Sequence, residues 1–427
     1  MKKRNKWILI IACSLVGVFL TLAVFLYYRV DDSLEVHGQT SLFKNKQDIQ
    51  RLDHTRLTSD SLTAFIASLM KKAHVHGLAV SIINDNTLIY QRLFGVKNNS
   101  TGEELTPGTL FYGASFSKTI FADVVLQLAE EKVIHLDTPL STYLKEPLYT
   151  YRTNFLQRLF GANYIDYSDL KNDMRYKLFT ARMCLSHTTG LPNWRWIEDD
   201  KKLKIKFDPG TRYSYSGEGL FLLQFVIEQL TGKDFKVIAA EKVFRPLQMA
   251  SSSYVWQRSY EGNYCVGHDA LGNTLGIPKR NAANAAGSLT TTLEDYTKYF
   301  QAVLMQNELR YKELLTPQIP IKSKQQFGPN AWIDTAENDS IRLSYGLGFG
   351  LYFTPYGKVF FKEGHLEGWQ HYAAGFPERG TAIIMMSNSD NAESIFKELI
   401  EVATGNKYTP WFWEGYIPYD EKVEQRP

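Results

Sequence analysis

The sequence predicts an α+β protein with one antiparallel sheet closed by the two ends of the chain, a helical region inserted between them, and a single N-terminal transmembrane helix. Three observations carry this. Two β-rich runs, residues 78–83 and 87–94, flank Asn84-Asp85-Asn86, which reads as a hairpin. Four more runs return near the other end, at 346–353, 358–362, 369–376 and 381–387. Most helical patterns fall between these groups, an order that argues against a doubly wound sheet.

At the N-terminus, Lys2, Lys3, Arg4 and Lys6 precede an uncharged run from residue 7 to 28. At about 1.5 Å per residue this run covers a hydrocarbon core of about 30 Å. The cationic flank stays cytoplasmic by the positive-inside rule, which places everything after Arg29 across the membrane. Ile10-Ile11-Ala12-Cys13 resembles a lipoprotein box, but most of the apolar run follows Cys13 instead of preceding it. No small-x-small site ends the run, as a cleaved signal peptide requires. The expected organisation is therefore an anchor at 1–28, a polar tether at 29–57, a catalytic domain at 58–404 and an aromatic tail at 405–427.

Within the domain, Ser59 or Asp60 can cap a helix carrying Leu62, Phe65, Ile66, Leu69 and Met70 at helical spacing. Further helices are expected at 116–131, at 220–230 with a stop near Gly232, at 293–304 and at 392–403. Residues 140–180 are aromatic and irregular and assign no element. The tail contains Trp411, Phe412 and Trp413.

Composition excludes several classes. With 427 residues, 44% hydrophobic and 22% charged, the chain can bury a sizeable core and is not disordered. A net charge of +3 is too small for a dedicated nucleic-acid binder. Three cysteines make neither a disulfide scaffold nor a four-thiolate zinc site, although Cys184 and Cys265 could pair after export. His74 and His76 offer two metal ligands without a third, so no metal is expected. Gly346-x-Gly348-x-Gly350 precedes a strand, not a phosphate-binding helix, so no cofactor is expected either.

Three short stretches could share one site. In Gly113-Ala114-Ser115-Phe116-Ser117-Lys118, a helix starting after Ser115 puts Ser115 and Lys118 one turn apart on one face. A serine hydroxyl needs a base, and a desolvated lysine can supply it. Pro209-Gly210 turns into a loop bearing Tyr215, whose phenol would have its pKa lowered from about 10 beside two ammonium groups. Lys362-Glu363-Gly364-His365 closes a strand, where a glycine lets a ligand approach the backbone. Taken singly, each stretch is ordinarily a capping serine, a packing tyrosine or an exposed strand lysine.

In this order the three resemble the penicillin-recognising serine hydrolases, particularly the class C β-lactamase branch with its D,D-peptidases, D-aminopeptidases and esterases. Leu185-Ser186-His187-Thr188-Thr189-Gly190-Leu191-Pro192 and Ala286-Gly287-Ser288-Leu289-Thr290-Thr291-Thr292 resemble further segments of that family. The resemblance covers roughly 60–404 and implies a β-lactamase/transpeptidase-like fold, an antiparallel sheet flanked by helices with an inserted all-helical lobe. It implies Ser115 as the acylated nucleophile, Lys118 and Tyr215 as a joint base, and Lys362 as the holder of a Tyr215 phenolate. It also implies an oxyanion hole made by the backbone N–H groups of Ser115 and His365. Gly217, Glu363 and Gly364 fall at substrate-binding positions. Two of them depart from the pattern: Gly217 replaces an asparagine that meets an acylamino group, and Glu363 replaces a threonine that meets a carboxylate. His187 reads as part of a structural loop, and Lys201, Lys202, Lys204 and Lys206 as a solvated rim or an attractor of acidic ligands.

The expected protein is a membrane-anchored serine hydrolase with its catalytic domain periplasmic or extracellular. It acts on a small amide or ester, most naturally a D-amino-acid peptide or related wall fragment, and binds the membrane through its N-terminal helix. A carboxylesterase on the same scaffold and a non-catalytic sensor of wall fragments or β-lactams are the alternatives.

Overall fold

The computed structural model describes residues 48–154, 156 and 163–421. These all belong to the compact unit that begins at Thr40. The apolar run 7–28, and with it the expected anchor, lies outside the described residues. Among the described residues no helix is long and apolar enough to cross a membrane.

The expected hairpin forms from β1 (Gly77–Asn84) and β2 (Thr87–Asn98). Its turn residues Asp85 and Asn86 have φ of 46° and 58°, the left-handed pair whose twist matches the flanking strands. The other sheet strands are β3 (Glu103–Glu104), then, after a separate two-stranded ribbon of β4 (Phe111–Ala114) and β5 (Leu289–Thr291), β6 (Ile319–Pro320) and β7 (Ser344–Tyr345). They continue with β8 (Gly350–Thr354), β9 (Gly357–Leu366), β10 (Trp369–Phe376) and β11 (Thr381–Ser387). The order across the sheet is β6-β7-β8-β9-β10-β11-β1-β2-β3. β11 pairs antiparallel with β1, Ile383 opposite Ile82, so the two chain ends close one sheet as the sequence predicts.

Alternation along these strands feeds two cores. Ala79, Ile83, Ile384, Met386 and Phe360 face the inserted helical region, with α2 (Ser117–Glu130), α3 (Gly217–Thr231) and α4 (Leu293–Met305). Leu78, Val80, Ile82, Ile383, Met385 and Phe361 face α1 (Ser59–Lys72) and α5 (Phe396–Thr404). Burying both faces explains why β1 is apolar along nearly its whole length.

Several expectations shift. The cap of α1 is Thr58, whose side chain accepts from Ser61 N, instead of Ser59 or Asp60. α3 starts at Gly217, three residues before the periodic run, because Ser216 Oγ accepts the Gly219 N–H there. The strand expected at 346–353 begins only at Gly350. Residues before it wrap against α2: a Cβ on Gly348 (φ 85°) would lie 2.8 Å from Ala122 Cβ. The described part of 140–180 is a string of short 3₁₀ turns that buries Leu148, Tyr167, Leu170, Tyr176 and Phe179. In the tail, a helical turn at Trp411–Glu414 buries Trp411 and Trp413 in the second core, against Phe361 and Tyr372.

Candidate active site

The nucleophile candidate sits on a tight turn between β4 and α2. Ala114 has φ 44°, a strained value for a residue with a Cβ, and Gly113 O accepts the Phe116 N–H at 2.9 Å. Ser117 locks the turn: its Oγ donates to Ala114 O at 2.6 Å and accepts the Leu289 N–H at 2.9 Å. Ser115 is left half-buried at the head of α2. Lys118, in the first helical turn, is 2% exposed and brings Nζ to 2.8 Å from Ser115 Oγ. The same Nζ donates to Ala286 O. That backbone contact to Lys118 has no side-chain signal in the sequence.

Tyr215 comes from the loop ahead of α3. The loop is held by His187, whose buried Nδ1 accepts the Ser216 N–H at 3.1 Å and whose ring lies 4.4 Å from the Tyr215 ring. His187 therefore supports Tyr215 and does not touch Ser115, in line with its structural reading. Lys118 Nζ and Lys362 Nζ each lie 5.0 Å from the Tyr215 ring centre, and Lys362 Nζ donates to Tyr215 Oη at 3.3 Å.

Lys362 and Gly364 are on the β9 face that meets α2. A Cβ on Gly364 would lie 3.2 Å from Gly113 O, so this glycine lets β9 back directly onto the nucleophile turn. The segments carrying the Ser115 and His365 N–H groups are thereby neighbours. The His365 side chain is exposed, with Nε2 3.6 Å from Glu393 Oε1.

Glu363 is 4% exposed, and alternation points it to the opposite face of β9. β8 pairs with β9 only as far as Phe361, opposite Gly350, so beyond that point neighbouring side chains can meet around the strand edge. There Glu363 Oε1 accepts from Lys362 Nζ at 2.9 Å and from Gln326 Nε2 at 2.9 Å. The carboxylate is therefore tied to protein partners in the site.

These contacts divide the charges. Burial, then the Lys362 charge, push Lys118 well below its ordinary value, which favours its neutral amine. Burial also opposes the Lys362 ammonium, but Glu363 and Tyr215 outweigh it and hold this lysine charged above its ordinary value. Burial works against the Glu363 carboxylate too, and Lys362 overcomes it and lowers the pKa. The expectation for Tyr215 is overturned. Burial raises its phenol above the ordinary value and Glu363 adds to the rise; Lys362 opposes them without prevailing. Two full ammonium charges are not set against it, since burial depresses Lys118 and a carboxylate offsets Lys362.

At Gly217, a Cβ would lie 2.6 Å from Trp194 Cζ2, so the indole fills the space an asparagine side chain would need. The Gly217 N–H donates to Asn193 Oδ1 at 3.2 Å. Beside it, Glu218 and Arg195 form a buried two-point ion pair, Nε to Oε1 at 2.9 Å and Nη2 to Oε2 at 2.8 Å. The Lys201–Lys206 rim is exposed and partly neutralised, with Lys204 on Asp200 and Lys206 on Glu198. Cys184 and Cys265 are both buried free thiols.

The family model described as Beta-lactamase matches residues 62–404. The chain belongs to the β-lactamase family. It is a serine hydrolase of that family, and the Ser115 turn, the Tyr215 loop and β9 all lie within the match. The teichoic acid D-alanine hydrolase of Staphylococcus aureus is 22% identical over 389 residues, covering 83% of this chain and 89% of the relative. A D-aminopeptidase of Brucella ovis is 25% identical over 369 residues, covering 81% of this chain and 62% of the relative. In fold, the chain is similar to the octameric penicillin-binding protein homologue from Pyrococcus abyssi, with a TM-score of 0.64 and 20% identity over 84% of this chain and 80% of that one. The likeness establishes the β-lactamase/transpeptidase-like α+β fold.

Proposed function

We propose that this β-lactamase-family chain is a membrane-anchored, envelope-facing hydrolase that forms an acyl-enzyme on Ser115 and acts on a D-amino-acyl amide or ester. The observation that carries the chemistry is the buried Lys118 amine, its pKa pushed well down, 2.8 Å from Ser115 Oγ. As Ser115 Oγ attacks the carbonyl carbon, Lys118 accepts the hydroxyl proton. The Ser115 and His365 N–H groups receive the developing oxyanion, a contribution of about 3–4 kcal/mol per donor in such sites. Tyr215, still protonated, donates to the leaving oxygen or nitrogen and is re-protonated from Lys118. Water then attacks the acyl group by the reverse relay and releases the acid.

The D-amino-acyl class is supported by the two relatives, one named for D-alanine removal and one for D-amino-acid peptides. The envelope location is supported by the cationic flank and the apolar run 7–28. The test is to label the full-length chain with a fluorophosphonate and map the adduct. Modification at Ser115, together with loss of D-alanyl ester turnover in Ser115→Ala, is expected. An adduct on another residue, or unchanged turnover in that variant, refutes the reading.

A further inference from the structure

Lys362 is the lysine of the site that keeps its proton, and its charge is already answered. Glu363 Oε1 lies 2.9 Å from Lys362 Nζ, and the two residues are 4% and 0% exposed. The pair itself carries no net charge, so the Lys362 ammonium is not free to receive an anion beside Tyr215. The second oxygen, Glu363 Oε2, is buried without a hydrogen-bond partner. A substrate carboxylate approaching Lys362 would therefore meet an ionised, poorly hydrated carboxylate at close range, and such like charges repel strongly.

The carboxylate is also held from behind. Gln326 Nε2 donates to Glu363 Oε1, the Gln326 N–H donates to Trp413 O at 2.8 Å, and Trp413 Nε1 donates to Ser323 Oγ at 3.1 Å. Phe327, next in the chain, stands edge-on to the Tyr215 ring at 5.4 Å. Trp413 lies beyond residue 404, where the family match ends, so a segment outside the shared domain braces this corner of the site.

We propose that Glu363 is a specificity-determining residue. By taking up the Lys362 ammonium it closes the cleft to acyl donors with a carboxylate beside the scissile bond, and the C-terminal segment holds it there through Gln326. Resting on the acyl-enzyme reading above, this narrows the substrates to amides and esters whose leaving group is uncharged or cationic.

The experiment uses two probes, a D-alanyl depsipeptide ending in a free carboxylate and the same compound capped as a primary amide. Each is bound to the full-length Ser115→Ala chain by calorimetry and turned over by the wild type, Glu363→Thr and Glu363→Gln. The amide form is expected to bind and turn over better in the wild-type background. Either substitution should move the ratio toward the carboxylate form by at least about ten-fold, the scale of one charge-assisted hydrogen bond. Equal loss on both probes, or tighter binding of the carboxylate form with Glu363 intact, overturns the proposal. Glu363→Gln is near-isosteric, so it decides the point if Glu363→Thr does not fold. Binding to the Ser115→Ala chain needs no turnover, so failure of the acyl-enzyme reading is seen separately.

Discussion

Lys118 should be both the group on which the chemistry depends and a burden on the fold. Its Nζ is buried beside Lys362, and burial followed by that neighbouring charge drives its pKa well below the usual 10.5. Replacement by arginine puts a cation there that cannot give up its proton. Losing a positioned general base lowers kcat by about 10²–10⁴-fold, or about 3–5 kcal/mol of barrier. The acid limb of kcat/KM, which reports deprotonation of Lys118, should vanish in Lys118→Arg. Stability gives the second arm. Between the folded-state pKa and 10.5 the unfolded chain binds a proton that the folded chain does not, so stability from this group rises with pH. The penalty is full below the folded-state pKa and gone above 10.5. Lys118→Met removes it, so the stability difference, variant minus wild type, should fall as pH rises, by about 1.4 kcal/mol for each unit of depression. The Ala286 carbonyl left unpaired by methionine contributes a term that does not change with pH, so the slope is the diagnostic. Urea unfolding of both proteins from pH 7 to 11 supplies it. A flat or rising difference, or more than about a tenth of wild-type kcat in Lys118→Arg, refutes the assignment of a neutral base.

Tyr215→Phe should leave measurable acylation by activated esters, since Lys118 takes the first proton, but slow poor leaving groups by about 10²-fold or more, read from kcat across a leaving-group series. Gly217→Asn alone should destabilise by about 1–3 kcal/mol through overpacking against Trp194, and Gly217→Asn/Trp194→Ala should recover part of it in thermal melts. Glu218→Ala should cost about 3–5 kcal/mol by stranding the buried Arg195 guanidinium, measured by urea unfolding. Trp413→Ala should cost about 3–5 kcal/mol as the buried indole leaves Phe361 and Ser323 Oγ, and should lower activity as the segment whose carbonyl holds Gln326 loosens, measured by melts and ester turnover on one preparation.

What could be read in advance was what depends on local spacing. Ser115 and Lys118 are three apart at a helix start, and the strands at both ends of the chain are β-rich runs, so the sheet closure and the close approach of Ser115 and Lys118 were both legible. What could not be read was set by tertiary contact. The sign of the Tyr215 shift is set first by burial, and Glu363 adds to it by reaching around the end of the β8–β9 pairing to Lys362, which alternation alone places on the opposite face. The short β4–β5 ribbon gave no periodic signal, although its pairing fixes the turn under Ser115. The three glycines at 346, 348 and 350 looked like part of a strand, and their closeness to the Leu314 carbonyl, α2 and Phe361 respectively is a property of the assembled core.

The two departures from the family pattern are each answered by a neighbour, which changes what reverting them would do. At 217 the missing side chain is replaced in space by Trp194, so an asparagine restored there meets an indole before any substrate. At 363 the carboxylate satisfies both Lys362 and the Gln326 amide. A threonine hydroxyl is too short to reach both, and a buried amide left unpaired costs about 1–3 kcal/mol. Restoring one motif position therefore adds a family residue and removes a local partner in the same step. Glu363→Thr that gains carboxylate recognition without losing stability should therefore need Gln326 changed as well, and Gly217→Asn should need Trp194 changed, because each position shares its space or its hydrogen bonds with that neighbour.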